Sequence, residues 1–255
     1  MGGRWNAVVA GVVVGAALIL CAGCMQRVPE KGAPETKSAA ATGTIIYVEG
    51  EVAVNGLPAQ IGEKVDANAT IKTEADGRCV ITFGGENILQ VLPGSLAVLN
   101  LSSIGRGVQV ESGSVAAVLK RLAPTETGNR FQIDTPTAVA GIRGTALFVK
   151  VISPEESYVC VCNGSIALQD NTGANAQTLT AAHHSAVRFI RSGRVVEVER
   201  ASLLYHTDAQ MNALAKWIGH TIDWSKPDLV NYGVLTGRRA LTEETVRTDR
   251  EPARG

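Results

Sequence analysis

The hydrophobic pattern changes character twice along the chain. Trp5 to Leu20 is almost wholly apolar, and Met25 to Thr42 (MQRVPEKGAPETKSAAAT) has no apolar period at all. From Gly43 onward, apolar and polar positions alternate in short runs, the period-two signature of half-buried strands. The runs are Thr44–Val48, Glu51–Val54, Arg78–Phe83, Ile88–Val91, Leu96–Leu99, Ser114–Leu119, Arg130–Asp134, Ala146–Val151, Tyr158–Cys162, Ser165–Leu168, Ala186–Ile190 and Val195–Val198. Turn pairs such as Asp76-Gly77, Pro93-Gly94, Asn163-Gly164 and Ser192-Gly193 separate many of them. Short strands at this spacing predict an all-β fold: a roll, a solenoid or a sandwich. After Val198 the period becomes helical. Thr207-Asp-Ala-Gln210 forms a capping box, and Met211, Leu214, Ala215 and Ile218 share one face. A short C-terminal helix is expected to dock on the sheet, with Trp217 and Trp224 as packing anchors.

The apolar start changes where this fold is expected to reside. Arg4, the apolar run and Cys21-Ala-Gly-Cys24 resemble a lipoprotein signal peptide: a charged start, an apolar core and small residues before a cysteine. Cleavage would leave Cys24 as the first mature residue and the lipid carrier. Ordinary secretory cleavage and an uncleaved membrane span are the alternatives, since Trp5 to Gly23 is about long enough to cross a bilayer. All three place the body outside the cytoplasm. The division expected is a signal peptide at 1–23, a flexible tether at 24–42, a β domain at 43–200, a helical extension at 201–232 and a disordered tail at 233–255. The tether would reach roughly 23 Å as a coil. Because Met25, and not Asp, follows Cys24, the outer membrane is the expected anchor.

Charge adds one exclusion. Lys and Arg number 24 and Asp and Glu also 24, so nothing in the balance favours a nucleic acid or an anionic lipid surface.

One segment is more specific than the rest. Phe131-Gln-Ile-Asp-Thr-Pro-Thr-Ala-Val-Ala-Gly-Ile-Arg-Gly-Thr145 reads as a strand, a corner at Thr135-Pro136, and a second strand interrupted by Gly141 and Gly144 around Arg143. Pro136 removes a ladder donor and suits a corner, while the glycines permit close approach or a positive φ. Arg143, set between apolar neighbours, needs acceptors such as turn carbonyls or Asp134, and reads as an internal clamp. Thr145 closes the segment. With Gly43 to Gly50, Val80-Ile-Thr-Phe83, Leu92-Pro-Gly-Ser95, Val110 to Val115 and Val161 to Ile166, this order of strand and turn words resembles the FecR domain family over about Gly43 to Leu168. The resemblance implies a FecR-like β-roll acting as a non-enzymatic, extracytoplasmic module that contacts a protein or envelope ligand. The family's regulators signal through a cytoplasmic segment ahead of a membrane helix. Only Met1 to Arg4 precede the apolar run here, so that activity is not expected.

A second constellation concerns chemistry. Tyr158-Val-Cys-Val-Cys162 puts Cys160 and Cys162 on one strand face, with Val159 and Val161 on the other. His183 and His184 follow, and His206-Thr-Asp208 opens the helix. Two thiolates with imidazoles suit zinc or another transition metal. His206 or Asp208 could supply a fourth ligand if the helix folds back, whereas adjacent His183 and His184 could share one ion only from a loop. The alternatives are that the cysteines are small buried hydrophobes, or that Cys79 pairs with Cys160 or Cys162 in a disulfide. No Gly-x-Ser-x-Gly elbow or phosphate-cradling Gly-x-x-x-x-Gly-Lys segment occurs. No enzyme is expected.

Overall fold

The computed structural model describes residues 42–65, 68–102, 106–120 and 131–225, without the side chains of Arg106 and Arg143. The expected signal peptide, Cys24, most of the tether, the tail, and the Arg143 clamp lie outside the described residues.

Fifteen strands precede one helix. They are β1 (Gly43–Glu49), β2 (Val52–Val54), β3 (Leu57–Pro58), β4 (Lys64–Val65), β5 (Ala69–Thr73), β6 (Arg78–Phe83), β7 (Asn87–Val91) and β8 (Leu96–Leu101). Then come β9 (Arg106–Leu119), β10 (Phe131–Asp134), β11 (Ala138–Ser153), β12 (Glu156–Asp170), β13 (Gln177–Ala181), β14 (Ser185–Ser192), β15 (Val195–Ala201) and α1 (Asp208–Lys216). All strands join one sheet, whose main path runs β15-β14-β12-β11-β10-β9-β7-β6-β1-β4. Pairing is antiparallel except between β9 and β10. The all-β class with a short C-terminal helix is therefore the observed one.

Three strands are long, where the turn words predict shorter pieces. Asn163-Gly164 is not a turn: Tyr158–Cys162 and Ser165–Leu168 are one strand, β12. Gly164 sits at φ 121, and a Cβ there would stand 2.9 Å from the Gly144 carbonyl oxygen. The glycine stays paired with Thr145 inside the ladder, between two bulges. Register with β11 slips on both sides of it, between Ile142 and Thr145 and between Ala146 and Leu147. The slip moves the inward set from odd positions (Val159, Val161) to even ones (Ile166, Leu168). Gly113, at φ 75, marks the same change in β9, from Val108 and Val110 to Val115 and Ala117. A strand can thus stay hydrogen-bonded while its inward face changes parity.

The Thr135 to Thr145 segment builds the corner between β10 and β11. The Thr135 backbone N–H donates to the Ala138 carbonyl at 2.8 Å, and Thr135 Oγ1 accepts from the Ala138 N–H at 2.9 Å. The Pro136 carbonyl accepts from Asn171 Nδ2 and from Arg191. Gly141 lies in register between Gln132 and Ala167, and Thr145 Oγ1 donates to the Ser165 carbonyl at 2.9 Å.

The sheet has two buried faces. The inner face encloses the main core, with Ile45, Ile71, Leu89, Leu147, Val161 and Phe189 among its fully buried members. The outer face of β6, β7, β9, β11, β12 and β14 carries Val80, Ile88, Ala116, Val118, Phe148 and Cys160. The residues after β15 cover it with Leu204, Met211, Leu214, Ala215 and Ile222. Helix α1 begins as its capping box specifies, with Thr207 Oγ1 accepting from the Gln210 N–H and Gln210 Oε1 accepting from the Thr207 N–H. Trp217 departs from expectation. It is 53% exposed, at the C-terminal end of the helix, with its ring 5.8 Å from that of Tyr47 on β1.

Candidate metal centre

Beneath the start of α1, the outer face stops being purely apolar. Strand β12 presents Tyr158, Cys160 and Cys162 in alternation. Cys162 is the extra residue of the bulge: β11 passes from Ala146, opposite Asn163, to Leu147, opposite Val161. On its other side β12 changes partner, from β14 up to Val161 to β13 from Gly164. The linking residues 182–184 leave the sheet at that gap, and the His184 N–H donates to the Cys162 carbonyl at 2.9 Å. His184 has φ 45. That left-handed kink removes the strand geometry in which His183 and His184 would diverge, and their rings lie 4.9 Å apart.

The last component arrives from the chain after β15. Tyr205, at φ 66, turns it toward the sheet. Leu204 N–H donates to Tyr158 Oη, which itself donates to the Ser202 carbonyl. The turn delivers His206 onto the Phe148 ring, stacked at 4.5 Å and 10°. The other described non-glycine residues at positive φ are all asparagines, the type that tolerates this region well. His184 and Tyr205 are the two exceptions, and both flank this cluster. Backbone strain of this kind collects at functional sites.

Four donor atoms converge here. One each from Cys160, Cys162, His184 and His206 lie within 4.8 Å of one another, and all four residues are buried. Cys160 Sγ is 3.6 Å from His184 Nδ1, and Cys162 Sγ is 3.2 Å from His206 Nε2. Donors of a tetrahedral zinc are roughly 3.3–3.8 Å apart, from bond lengths of about 2.3 Å to sulfur and 2.0–2.1 Å to nitrogen. The other nitrogen of each imidazole is already committed as a donor. His184 Nε2–H donates to Asp208 Oδ1 at 2.6 Å, and His206 Nδ1–H donates to the Leu204 carbonyl at 2.8 Å. In the neutral rings the inward nitrogens then carry the lone pairs, the arrangement outer hydrogen bonds impose on metal-binding histidines. Charge fits as well. Two thiolates, two neutral imidazoles and one divalent ion sum to zero, which a buried site requires.

His183 is not among the four. Its Nε2 donates to Asp208 Oδ2 at 3.0 Å, so both histidines grip one carboxylate. Asp208 thereby orients His184, and His183, His184 and Asp208 make a second, adjoining group of possible donors. Trp224 lies over His184 at 5.2 Å and 19°, an anchor at the rim of the site. The disulfide alternative is excluded: Cys79, Cys160 and Cys162 are all free, and Cys79 is on the inner face.

Electrostatics describe a cluster already carrying separated charge. Burial pushes the Cys160 thiol up, but hydrogen bonds from Cys162, His184 and His206 outweigh it and hold the thiol well below its ordinary value. Burial and the adjacent Cys160 push Cys162 well up. Burial pulls His184 down, yet Cys160 and Asp208 leave it raised, and the two histidines hold Asp208 below the usual carboxylate range despite its burial. Cys160, His184 and Asp208 also have the order of a nucleophilic thiol relay. Both sulfurs are 0% exposed, however, so no acyl substrate reaches them in this conformation.

Residues 69–167 match the family described as FecR protein. Over that stretch the chain resembles a FecR domain. The family is related to signalling and generally non-enzymatic. The match begins at β5, later than the sequence words place it, and ends inside β12. Cys160 and Cys162 fall within the domain, and His184, His206 and Asp208 lie beyond it. The chain is also similar to two crystal structures of a candidate anti-sigma factor from Parabacteroides distasonis. Each is 16% identical, with a TM-score of 0.41, over 51% of this chain and 59% of that one. This chain therefore spans little more than half the length of those chains. No curated protein matches it.

Sequence reasoning found the thiols and imidazoles from strand parity and the helix start. It missed Phe148 and Tyr158 as supports. Phe148 sits opposite Cys160 on the neighbouring β11, and Tyr158 two residues before Cys160 on β12 itself, so pairing β11 with β12 would have revealed them.

Proposed function

We propose that this protein is a non-catalytic FecR-domain module that holds one zinc-type ion between Cys160, Cys162, His184 and His206. The observation that carries the reading is the convergence of those four donor atoms within 4.8 Å, with the outer nitrogen of each ligating imidazole already donating elsewhere. The module belongs outside the cytoplasm, tethered to a bacterial membrane through lipid on Cys24, the outer membrane by preference. There it contacts a protein or an envelope component. The signal-like N-terminus supports the address, and the FecR domain supports a role in signalling or envelope assembly. A redox response by the same pair of cysteines is the second reading, favoured by the hydrogen bonds that hold the Cys160 thiol below its ordinary range.

Full-length protein in detergent, incubated with Zn2+ and desalted, should carry one zinc per chain by elemental analysis and native mass spectrometry. Cys160→Ser should carry none. Wild-type protein that retains no metal sinks the zinc reading. A Cys160–Cys162 disulfide formed reversibly under mild oxidant would install the redox reading instead. For the address, Cys24→Ala should abolish metabolic lipid labelling, and persistent labelling would refute that attachment point.

A further inference from the structure

The donors of the centre do not come from one part of the chain, and that asymmetry has a mechanical meaning. Cys160, Cys162 and His184 are fixed on β12 and at the entrance of β14, whereas His206 belongs to the segment that crosses back over the sheet after β15. Asp208, which orients His184, is the first residue of α1. We infer that the metal is a clasp: it holds residues 202–225 on the outer face, and its loss releases α1 and uncovers that face. The inference rests on the zinc reading and adds the regulation of that site.

The segment's other contacts lie along one face of the sheet. Helix α1 has nine residues, and a helix that short is marginal in water without tertiary support. Met211, Leu214 and Ala215 are its buried side chains, set over Val80, Ile88, Ala116 and Val118. The fit there is incomplete. A pocket of about 280 Å³ remains between helix and sheet, bordered by Arg78, Gln90, Phe148, Gln210 and Trp217. Beyond the apolar contacts, the segment's ties include Tyr158 Oη to Ser202 and Leu204, Asn163 Nδ2 to the Asp223 carbonyl at 3.1 Å, Lys150 over the Tyr205 ring, and Asp208 to His183 and His184. The inner core shares none of these weaknesses. It is built from strands paired edge to edge and contributes no ligand to the centre. The metal therefore couples two parts of unequal stability, and the weaker one responds to its removal.

Pocket and centre share a wall. His206 and Phe148 line the pocket on one side while His206 Nε2 faces Cys162 on the other. Release of His206 opens the pocket directly onto the outer face.

Hydrogen exchange on full-length protein in detergent tests the clasp, with zinc loaded and after EDTA, while native mass spectrometry follows the metal in the same samples. On EDTA, amides of 208–216 should exchange roughly tenfold faster or more, with those of β7 and β9 unchanged. His206→Ala should show the fast α1 exchange without EDTA. Cys162→Ser should repeat that result from the sheet side, guarding against a local packing defect at position 206. Loss of zinc from the protein with no change at 208–216 overturns the clasp and leaves zinc binding intact. Protein that takes up no zinc overturns both. Acceleration across β7 and β9 as well overturns the clasp, because it shows the metal stabilising the whole fold.

Discussion

Cys79 and Cys160 occupy strands of one sheet, are equally buried, and differ in almost everything else. Cys79 belongs to the inner core and lies opposite Val91 on β7. Burial, with the Glu63 charge adding to it, pushes its thiol up to about 12. Cys160 points outward, where two imidazoles and a second thiol hold it well below the ordinary range. The difference shows that burial alone does not decide what a cysteine does. On the inner face nothing stabilises a charge, so sulfur acts as a small hydrophobe. On the outer face the chain brings two imidazoles and a second thiol to it, and the same atom becomes a candidate ligand.

Four substitutions sharpen or break that contrast. Phe189→Ala, in the inner core, should cost about 3–5 kcal/mol by urea denaturation, equally with and without zinc. A loss that depends on metal would join the two faces into one unit. Asp208→Asn should weaken zinc about 10- to 100-fold in chelator competition, because His184 loses the carboxylate that orients it, while stability of the sheet is unchanged. Cys79→Ser should destabilise by about 1–3 kcal/mol through a hydroxyl buried without water, yet retain one zinc per chain. Loss of metal there would mean that the inner thiol matters to the centre. Thr207→Ala should cost about 1 kcal/mol, confined to α1 exchange, since it removes one side of the capping box. Reagent chemistry gives the null control: at pH 8, well below about 12, Cys79 should resist alkylation in both metal states.

Much of the sheet was legible because alternation survives along short pieces. Arg78–Phe83 is an observed strand to the residue, and the capping box at Thr207 starts the observed helix. The failures have one cause. At Gly113 and Gly164 the ladder continues while the inward face changes parity, so a break in alternation looks like the end of a strand. Short pairings such as β3 and β13 carry mostly exposed residues, which leaves no hydrophobic period to read. At the centre, parity alone put Cys160 and Cys162 on one face. His183 and His184 could not be divided by sequence, because their roles depend on a left-handed residue and on a carboxylate arriving from α1. Trp217 was misjudged for a simpler reason: helical position shows that a side chain is near a packed face, not that it lies beneath one.

The boundary of the FecR match runs between the sulfurs and the nitrogens. The matched stretch supplies both sulfurs, the entrance of β14 supplies His184, and only His206 comes from the segment after β15. The centre is consequently separable from the domain that bears it. Two chains can share the sheet strand for strand and differ in whether they hold an ion, through changes confined to a loop histidine and a tail.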